Sequence, residues 1–482
     1  MAKILFINPN KWGRGITPIW VASHSAILKQ NDHKVELFDC TFYKEWTDNE
    51  LSFNTKNNQY QYSEYFNKVQ FLSNSIKTDL QKKIDEFKPD IIFWSALSSH
   101  IHGEGEYVNV EHGYSLINDC TLNNCLLITG GLQVTASPEN VVKKFKKVDF
   151  FIGGESEFVL TQIADNISNK KKIEMLNGIF YKNINGELKI NQRQKIISDL
   201  NEIPIYDYSL FEKKIFLRPY NGQILNAIDY ELSRGCIYTC TYCVETVIQN
   251  YYNFNDKTPR GALVGAKNYL RNKTAERVYA ELSLYKNKFN IELVRCQDTN
   301  FLTINQKLLK EFEKMNLTKP LGLKLYIETR PEGINEKSVK LLKNIGVDGV
   351  GMGVELAGTD FREKNLNRFV NEDKIINAFK LLKENGIKRT SYNIIGLPGQ
   401  NEESVIDTIK FNRKLKPDNV TCAFYTPYQG TAEQRKSVEM NYFSENENNL
   451  DNQLRSASKG NDIPLEKLNY YKKNFVSLVR AK

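Results

Sequence analysis

Residues 231–245 read ELSRGCIYTCTYCVE and hold three of the chain's eight cysteines, Cys236, Cys240 and Cys243. Thiolates are soft ligands suited to iron–sulfur clusters, and three of them on a four-iron cubane leave one iron without a protein ligand. A structural zinc site would want a fourth Cys or His nearby, and none follows at suitable spacing. The stretch reads as a cluster with one open coordination position.

Working outward, the cysteines follow a candidate strand, AIDYEL (227–232), that opens a βα series. Further candidate strands are IELVRC (291–296), KLYIE (324–328), GVGMGVE (349–355), SYNIIG (391–396) and NVTCAFY (419–425). Amphipathic helices fill the gaps, and NEKSVKLLKNIG (335–346) and NEDKIINAFKLLKENG (371–386) start near Asn and stop at Gly. Six βα units in succession predict a partial TIM-like barrel, whose site forms at the carboxyl ends of the strands. Polar or turn-forming residues recur at those ends: Asp298, Asn300, Glu328, Arg330, Glu355, Gly396, Pro398 and Gly399. Strand-end caps and surface ion pairs are the structural alternative for Asp298, Arg330 and Glu355, and a solvated helix face is the alternative for the basic pair Arg271 and Lys273.

Before the barrel, residues 1 to about 165 alternate β-rich runs with helical patterns: KILFINP (3–9), KVELFD (34–39), PDIIFWSAL (89–97), CLLITGG (125–131) and VDFFIGGE (148–155). This predicts a parallel, doubly wound, Rossmann-like sheet. Ser95, Leu97, Gly130, Gly131, Gly153, Gly154 and Glu155 sit past strand ends, where open α/β sheets bind ligands, although glycines there also simply turn the chain. NPNKWGRG lacks the G-x-G-x-x-G spacing, so a dinucleotide is not the expected ligand. Residues 48–63 read as a polar insertion, 64–87 as a helical pattern, and 100–112, with His100, His102 and His112, as a loop over the ligand face. GIFYKNINGELKINQRQ (178–194) is a hairpin turning at Asn185 and Gly186. Residues 431–482 read as a polar stretch and an amphipathic helix with Leu465, Leu468, Tyr471, Phe475 and Leu478 on one side.

The domain reading is therefore a Rossmann-like domain at 1–170, a hairpin and linker at 171–222, a partial barrel at 223–430 and a helical tail at 431–482. A chain of 482 residues, 41% hydrophobic and 26% charged, supports two cores, and no apolar run is long enough to span a bilayer. The N-terminus lacks the apolar region and cleavage site of a signal peptide. The net charge of +9 is scattered, so nucleic acid is not the expected partner. Clustered, sparse cysteines argue against a disulfide scaffold and for a reducing cytoplasm.

Cys-x3-Cys-x2-Cys with Tyr242 before its last cysteine, placed after the first strand of a six-fold βα repeat, resembles the radical S-adenosylmethionine (radical SAM) superfamily. YLRNKTAERVYAEL, QDTNFL, GVELAG, IIGLPG and FYTPYQGT resemble its cobalamin-binding branch, in which a Rossmann-like cobalamin domain precedes the barrel. In the first of these segments Arg271 and Lys273 match a basic pair common in the family. The resemblance implies a [4Fe–4S] cluster on Cys236, Cys240 and Cys243, with SAM on its open iron and reductive cleavage giving a 5′-deoxyadenosyl radical. It places Tyr242 and the turn of Gly396, Pro398 and Gly399 near the adenine of SAM, Asp298, Asn300 and Arg330 near its polar end, and Glu355 near the ribose. It makes cobalamin the ligand of Ser95, Leu97, Gly130, Gly131, Gly154 and Glu155. The cobalamin motif D-x-H-x-x-G is absent, Asp32 and His33 being adjacent, so cobalt is expected without a histidine ligand.

The implied activity is methyl transfer to an unactivated carbon of a small molecule or biosynthetic intermediate, with flavodoxin or ferredoxin as electron donor. A radical cyclase or rearrangement enzyme with the same cofactors is one alternative, and a non-catalytic iron–sulfur redox or sensor protein is another. Cys40, Cys120, Cys125, Cys296 and Cys422 read as small apolar residues. A second cluster on the first three would point to methylthiotransferases, but the chain shows no small RNA-binding β-domain at its end.

Overall fold

A computed structural model describes residues 1–47, 64–95, 106–444 and 463–481 of the 482, without the side chains of 106–108. The predicted insertion at 48–63, Leu97, His100 and His102 lie outside the described residues. The described residues fold into two compact units. The first is built from the chain up to Pro219 together with Val247–Asn253, and the second from Tyr220–Thr246 and the chain from Phe254 onward.

In the first unit, strands β1 (Lys3–Asn8), β2 (Lys34–Asp39), β3 (Ile91–Trp94), β4 (Leu126–Gly130) and β5 (Phe150–Ile152) form a parallel sheet in the order 2-1-3-4-5. Ile4, Leu5, Phe6 and Ile7 are all buried without alternation, as a sheet covered on both faces requires. The order reverses between β1 and β3, the switch point at which such sheets bind ligands. The hairpin β6 (Ile179–Lys182) and β7 (Leu188–Ile190) extends this sheet, with β6 antiparallel to β5. Gly186 takes φ +77° in its turn.

Two sequence expectations change here. The helical pattern of 64–87 breaks into Tyr65–Lys68 and Ile76–Phe87. Between them Leu72 pairs along the chain at Phe42 and Lys44, donating to Phe42 O at 2.7 Å and accepting from Lys44 N at 2.9 Å, so tertiary pairing overrides local periodicity. The expected loop ending at His112 is instead helical from Glu106 to Ile117. It is anchored by Trp94 Nε1 donating to Val110 O (2.9 Å) and by Asn109 Nδ2 donating to Ser95 O (2.8 Å). Gly113 lies flat on the Trp94 ring, where a Cβ would come within 2.3 Å of Cδ1.

After β8 (Leu217–Tyr220), where the chain leaves the first unit, the second unit opens with β9 (Gln223–Tyr230), and β10 (Ser233–Arg234) and β11 (Arg271–Asn272) form a small antiparallel pair. Strands β12 (Leu293–Cys296), β13 (Lys324–Thr329), β14 (Val347–Glu355), β15 (Lys388–Ile395) and β16 (Asn419–Phe424) then continue from β9, all parallel and neighbouring in chain order. Parallel crossovers are right-handed, so a sheet that never reverses order carries its helices on one face and curls into an open, partial barrel. Asn and Thr side chains cap the intervening helices, with Asn335 and Ser338 forming a capping box. Burial follows this layering. Leu325, Ile327 and Thr329 lie under the helices, while Lys324, Tyr326 and Glu328 face the barrel interior and stay partly exposed.

The interior is polar and tightly fitted. Tyr392 donates to Glu328 Oε1 at 2.9 Å, its hydroxyl lies 2.6 Å from that of Tyr326, and Gln297 Nε2 donates to Asp229 at 2.6 Å. Gly349, Gly351 and Gly353 repeat at period two on β14 because this wall has no room for side chains. A Cβ at Gly351 would fall 2.6 Å from the Tyr392 hydroxyl.

The C-terminal helix spans Leu465–Arg480 and covers β16 and the Glu402–Leu415 helix. Leu468, Tyr471 and Phe475 are buried as the sequence indicates, but Lys472, Val476 and Val479 share their face while Leu465 and Leu478 lie half out. Phe475 is fully buried among Ile409, Val420 and Phe424. Phe475→Ala should lower the unfolding free energy by about 3 to 5 kcal/mol, read as a lower urea midpoint. An unchanged midpoint would show that this helix does not complete the core.

Candidate functional site

The cysteine loop begins where β9 ends, and its approach is held by one carboxylate. Asp298, fully buried, accepts from Leu232 N (3.1 Å), Ser233 N (2.6 Å) and Ser233 Oγ (2.7 Å). Burial pushes its carboxyl up to about 7 despite those hydrogen bonds. Threonines flanking Cys240 stitch the loop to its surroundings. Thr239 bonds Gly261 O through N and Oγ1 (both 3.0 Å), and Thr241 Oγ1 donates to Asn365 O at 2.7 Å.

Cys236 and Cys240 are buried, Cys243 is half-buried, and all three are free thiols. Burial pushes the Cys236 thiol up to about 12 and Cys243 well above its ordinary value, with Cys240 the next contributor at Cys243. Thiolates are disfavoured there without added positive charge, which cluster iron supplies. Among the described residues no three His, Cys, Asp or Glu side chains converge on a single metal ion. Tyr238 N donates to Cys236 Sγ (3.4 Å) and Arg330 Nη1 to Cys240 Sγ (3.5 Å), the donors expected beside cluster sulfur.

The other expected SAM residues lie at neighbouring strand ends. Arg330 stacks on Tyr238 with its guanidinium 3.8 Å from the ring centroid, and its Nε donates to Glu332 at 2.9 Å. Asn300 Oδ1 accepts from Thr329 Oγ1 at 2.7 Å and Arg330 N at 3.4 Å, which fixes the backbone entering Arg330. Glu355 has φ +62° and accepts from the Tyr242 hydroxyl at 2.8 Å while pairing with Arg368 at 3.4 Å. A Cβ on Gly353 would come 2.1 Å from Glu355 Oε1, so this turn needs glycine. The turn of Gly396, Pro398 and Gly399 closes on Gln400, whose Oε1 accepts from Gly396 N at 2.7 Å. Thus Tyr242 and Glu355 meet directly, Asn300 meets Arg330, and Asp298 is engaged with the loop backbone.

In the first unit, Ser95 and Gly130 close β3 and β4, and Gly131 takes φ +102°. Gly154 and Glu155 are covered: a Cβ on Gly154 would lie 2.3 Å from the Tyr252 hydroxyl, and Glu155 N donates to that hydroxyl at 2.9 Å. Glu155 Oε2 accepts from Ile197 N at 2.9 Å. Cys40, Cys120 and Cys125 pack in or against the apolar core.

Comparison with known proteins matches residues 230–411 to the radical SAM superfamily. Residues 230–411 are a radical SAM domain. The chain is 26% identical over 357 residues to an uncharacterized methyltransferase of Pyrococcus horikoshii, covering 73% of this chain and 70% of that one. It is 24% identical over 446 residues to an anaerobic magnesium-protoporphyrin IX monomethyl ester cyclase of Rubrivivax gelatinosus, covering 88% and 68%. Its fold is that of the radical SAM methyltransferase TsrM from Kitasatospora setae, solved with cobalamin and a [4Fe–4S] cluster. The TM-score is 0.67 at 16% identity, covering 91% of this chain and 75% of that one.

Two residues packed around the loop, Arg368 and Glu245, carry no sequence signal. Arg368 sits in an unremarkable polar segment, and only the fold brings it to Tyr242 and Glu355. Glu245 accepts from the Tyr269 hydroxyl at 2.6 Å. Arg271 and Lys273 are not on a solvated face. Lys273 is buried in a triad with Glu281 (2.9 Å) and Arg277, and Arg271 belongs to β11.

Because the Asp298 carboxyl sits near 7 in the folded protein against an ordinary 3.8, the folded state holds the extra proton. Its contribution is complete below about pH 4 and is lost as pH rises through 7. Asp298→Asn should flatten the stability profile between those values, measured by urea denaturation across pH. An unchanged slope would remove this carboxyl from the balance.

Proposed function

We propose that the protein is a cobalamin-dependent radical SAM enzyme that transfers a methyl group to an unactivated carbon of a small-molecule substrate. The observation carrying this reading is the three-cysteine loop, in which burial pushes the Cys236 and Cys243 thiols up while Tyr238 N donates to Cys236 Sγ and Arg330 Nη1 to Cys240 Sγ. A chain-long fold shared with a cobalamin-bearing methyltransferase supports the second cofactor. When bound, cluster and SAM supply a 5′-deoxyadenosyl radical, and the corrinoid carries the methyl group.

The chain's own residues hold and orient. Cys236, Cys240 and Cys243 ligate the cluster, while Asp298 and the two flanking threonines fix the loop. Tyr242, with its phenol kept protonated by burial and by the Glu355 carboxylate, and Glu355, steadied by Arg368, hold hydroxyl and amino groups of SAM. Arg330 offers charge to the SAM carboxylate, with Asn300 setting its backbone. Gly396, Pro398 and Gly399 leave a flat turn for the adenine. Ser95, Gly130, Gly131, Gly154 and Glu155 are the residues that would line the corrinoid site. A small redox protein such as flavodoxin or ferredoxin would deliver the electron, and the free thiols suit a reducing cytoplasm. No helix among the described residues is long and apolar enough to cross a membrane.

The cyclase relative, matched over 88% of this chain, favours a second reading, ring closure with the same cofactors. Anaerobic reconstitution with iron, sulfide, hydroxocobalamin, SAM and a strong reductant should yield 5′-deoxyadenosine, and substrates from neighbouring biosynthetic genes should gain one carbon. No 5′-deoxyadenosine would defeat the radical reading. A product without added carbon would select cyclisation.

A further inference from the structure

The switch-point end of the first sheet holds two buried side chains whose hydrogen bonding is incomplete in the same sense. Asn8, the last residue of β1, is fully buried, and its Nδ2 donates to Asp39 Oδ1 at 3.1 Å while its Oδ1 meets no donor among the described residues. Gln133, three residues past β4, is 2% exposed. Its Nε2 lies 3.4 Å from Glu111 Oε1, and its Oε1 likewise meets no donor among the described residues.

Neither amide can be turned round to cure this. Asp39 Oδ1 already accepts from Thr41 N (3.0 Å) and Thr41 Oγ1 (2.6 Å), so it serves as an acceptor, and a flipped Asn8 would set carbonyl oxygen against carboxylate oxygen. Gln133 faces Glu111 in the same way, and Lys144 at 2.5 Å keeps that carboxylate in use as an acceptor. Other polar side chains at these strand ends are paired. Asn10 bonds Thr41 and Arg14 O, Thr129 bonds Trp94 O, and Thr135 bonds both Gly131 O and Gly154 N. Among the described residues the Tyr251 hydroxyl, beside Gly153 past β5, is also buried without a hydrogen-bond partner, but Asn8 and Gln133 are the two at these strand ends whose unmet atom is an amide oxygen, which can only accept.

β1 and β4 flank β3 in a parallel sheet, so both residues belong to the edge that also carries Ser95, Gly130 and Gly131. Carbonyl oxygens call for N–H or O–H donors and repel phosphate or carboxylate oxygens. The periphery of a corrin carries primary carboxamides, each with an N–H pair to give. The geometry points to Asn8 and Gln133 as acceptors for corrin carboxamide N–H groups, which makes them specificity-determining residues of the first unit. This inference rests on the cobalamin reading above and adds the chemistry by which the unit selects an amide-bearing corrinoid over an anionic nucleotide.

The test is a ligand-by-protein cycle on the full chain, read by absorbance titration. The probes are hydroxocobalamin and the cobyrinic acid heptamethyl ester, in which every peripheral amide is an ester without N–H. Asn8→Leu and Gln133→Leu should each weaken hydroxocobalamin binding about tenfold, since a hydrogen bond to a buried group of this kind is worth about 1 kcal/mol or more. The same variants should leave binding of the ester unchanged, and the unaltered protein should prefer the amide corrinoid. Equal losses for both probes, or no loss for either, would overturn the assignment while leaving the cofactor reading intact. Failure of the unaltered protein to bind either corrinoid would defeat the cofactor reading and this inference with it. Should Asn8→Leu not fold, Gln133→Leu and the amide-over-ester preference of the unaltered protein decide the matter.

Discussion

The second unit depends on a buried carboxylate holding backbone N–H groups at the point where a strand becomes a ligand loop. Asp298 lies past the end of β12 and ties down Leu232 and Ser233 past the end of β9, so two adjacent strands jointly set where Cys236 begins. A loop of three thiols cannot fold on its own apolar content. It needs anchors that leave the sulfurs alone, and Asp298, Thr239 and Thr241 supply them. Burying an acid there is costly, as its raised pKa records, and three hydrogen bonds offset the cost only in part.

The same economy of space governs the barrel interior. Tyr326, Tyr392, Glu328 and Arg295 fill it with polar groups, and the facing strand gives up side chains at Gly349, Gly351 and Gly353 to admit them. At the carboxyl end of that strand the glycine rule and the site meet. Gly353 makes room for Glu355, whose left-handed backbone turns its carboxylate toward Tyr242 and Arg368. Packing and ligand geometry are thus set by one run of sequence, GVGMGVE.

Much of this was legible beforehand because periodicity and strand-end chemistry are local signals. Eleven of the fourteen strands in the two large sheets, the two more of the Asn-Gly hairpin, and the Asn-initiated helices follow from patterns a few residues long, whereas β8 reads as part of the linker. What was not legible depends on distant partners. Phe71 and Leu72 continue a helical pattern, yet backbone pairing at Phe42 and Lys44 draws them out. Residues 106–112 look like a polar loop because their helix is secured by Trp94 and Ser95 rather than by an apolar stripe. Arg368 carries no motif, and Lys273, which reads as a surface base, is buried because Glu281 is one helical turn from Arg277 and both face it. The unmet oxygens of Asn8 and Gln133 likewise have no sequence signature, since only their fixed amide orientation makes them notable.

The central claim is that three protein thiolates hold a four-iron cluster with one iron open to SAM. Electron paramagnetic resonance of the anaerobically reconstituted, reduced protein, recorded with and without SAM, tests it most directly. The account predicts a reduced [4Fe–4S] signal whose g values shift on adding SAM, and its loss when Cys240 is replaced by Ala. A signal indifferent to SAM would mean that no iron is open, and zinc in place of iron would contradict the account outright.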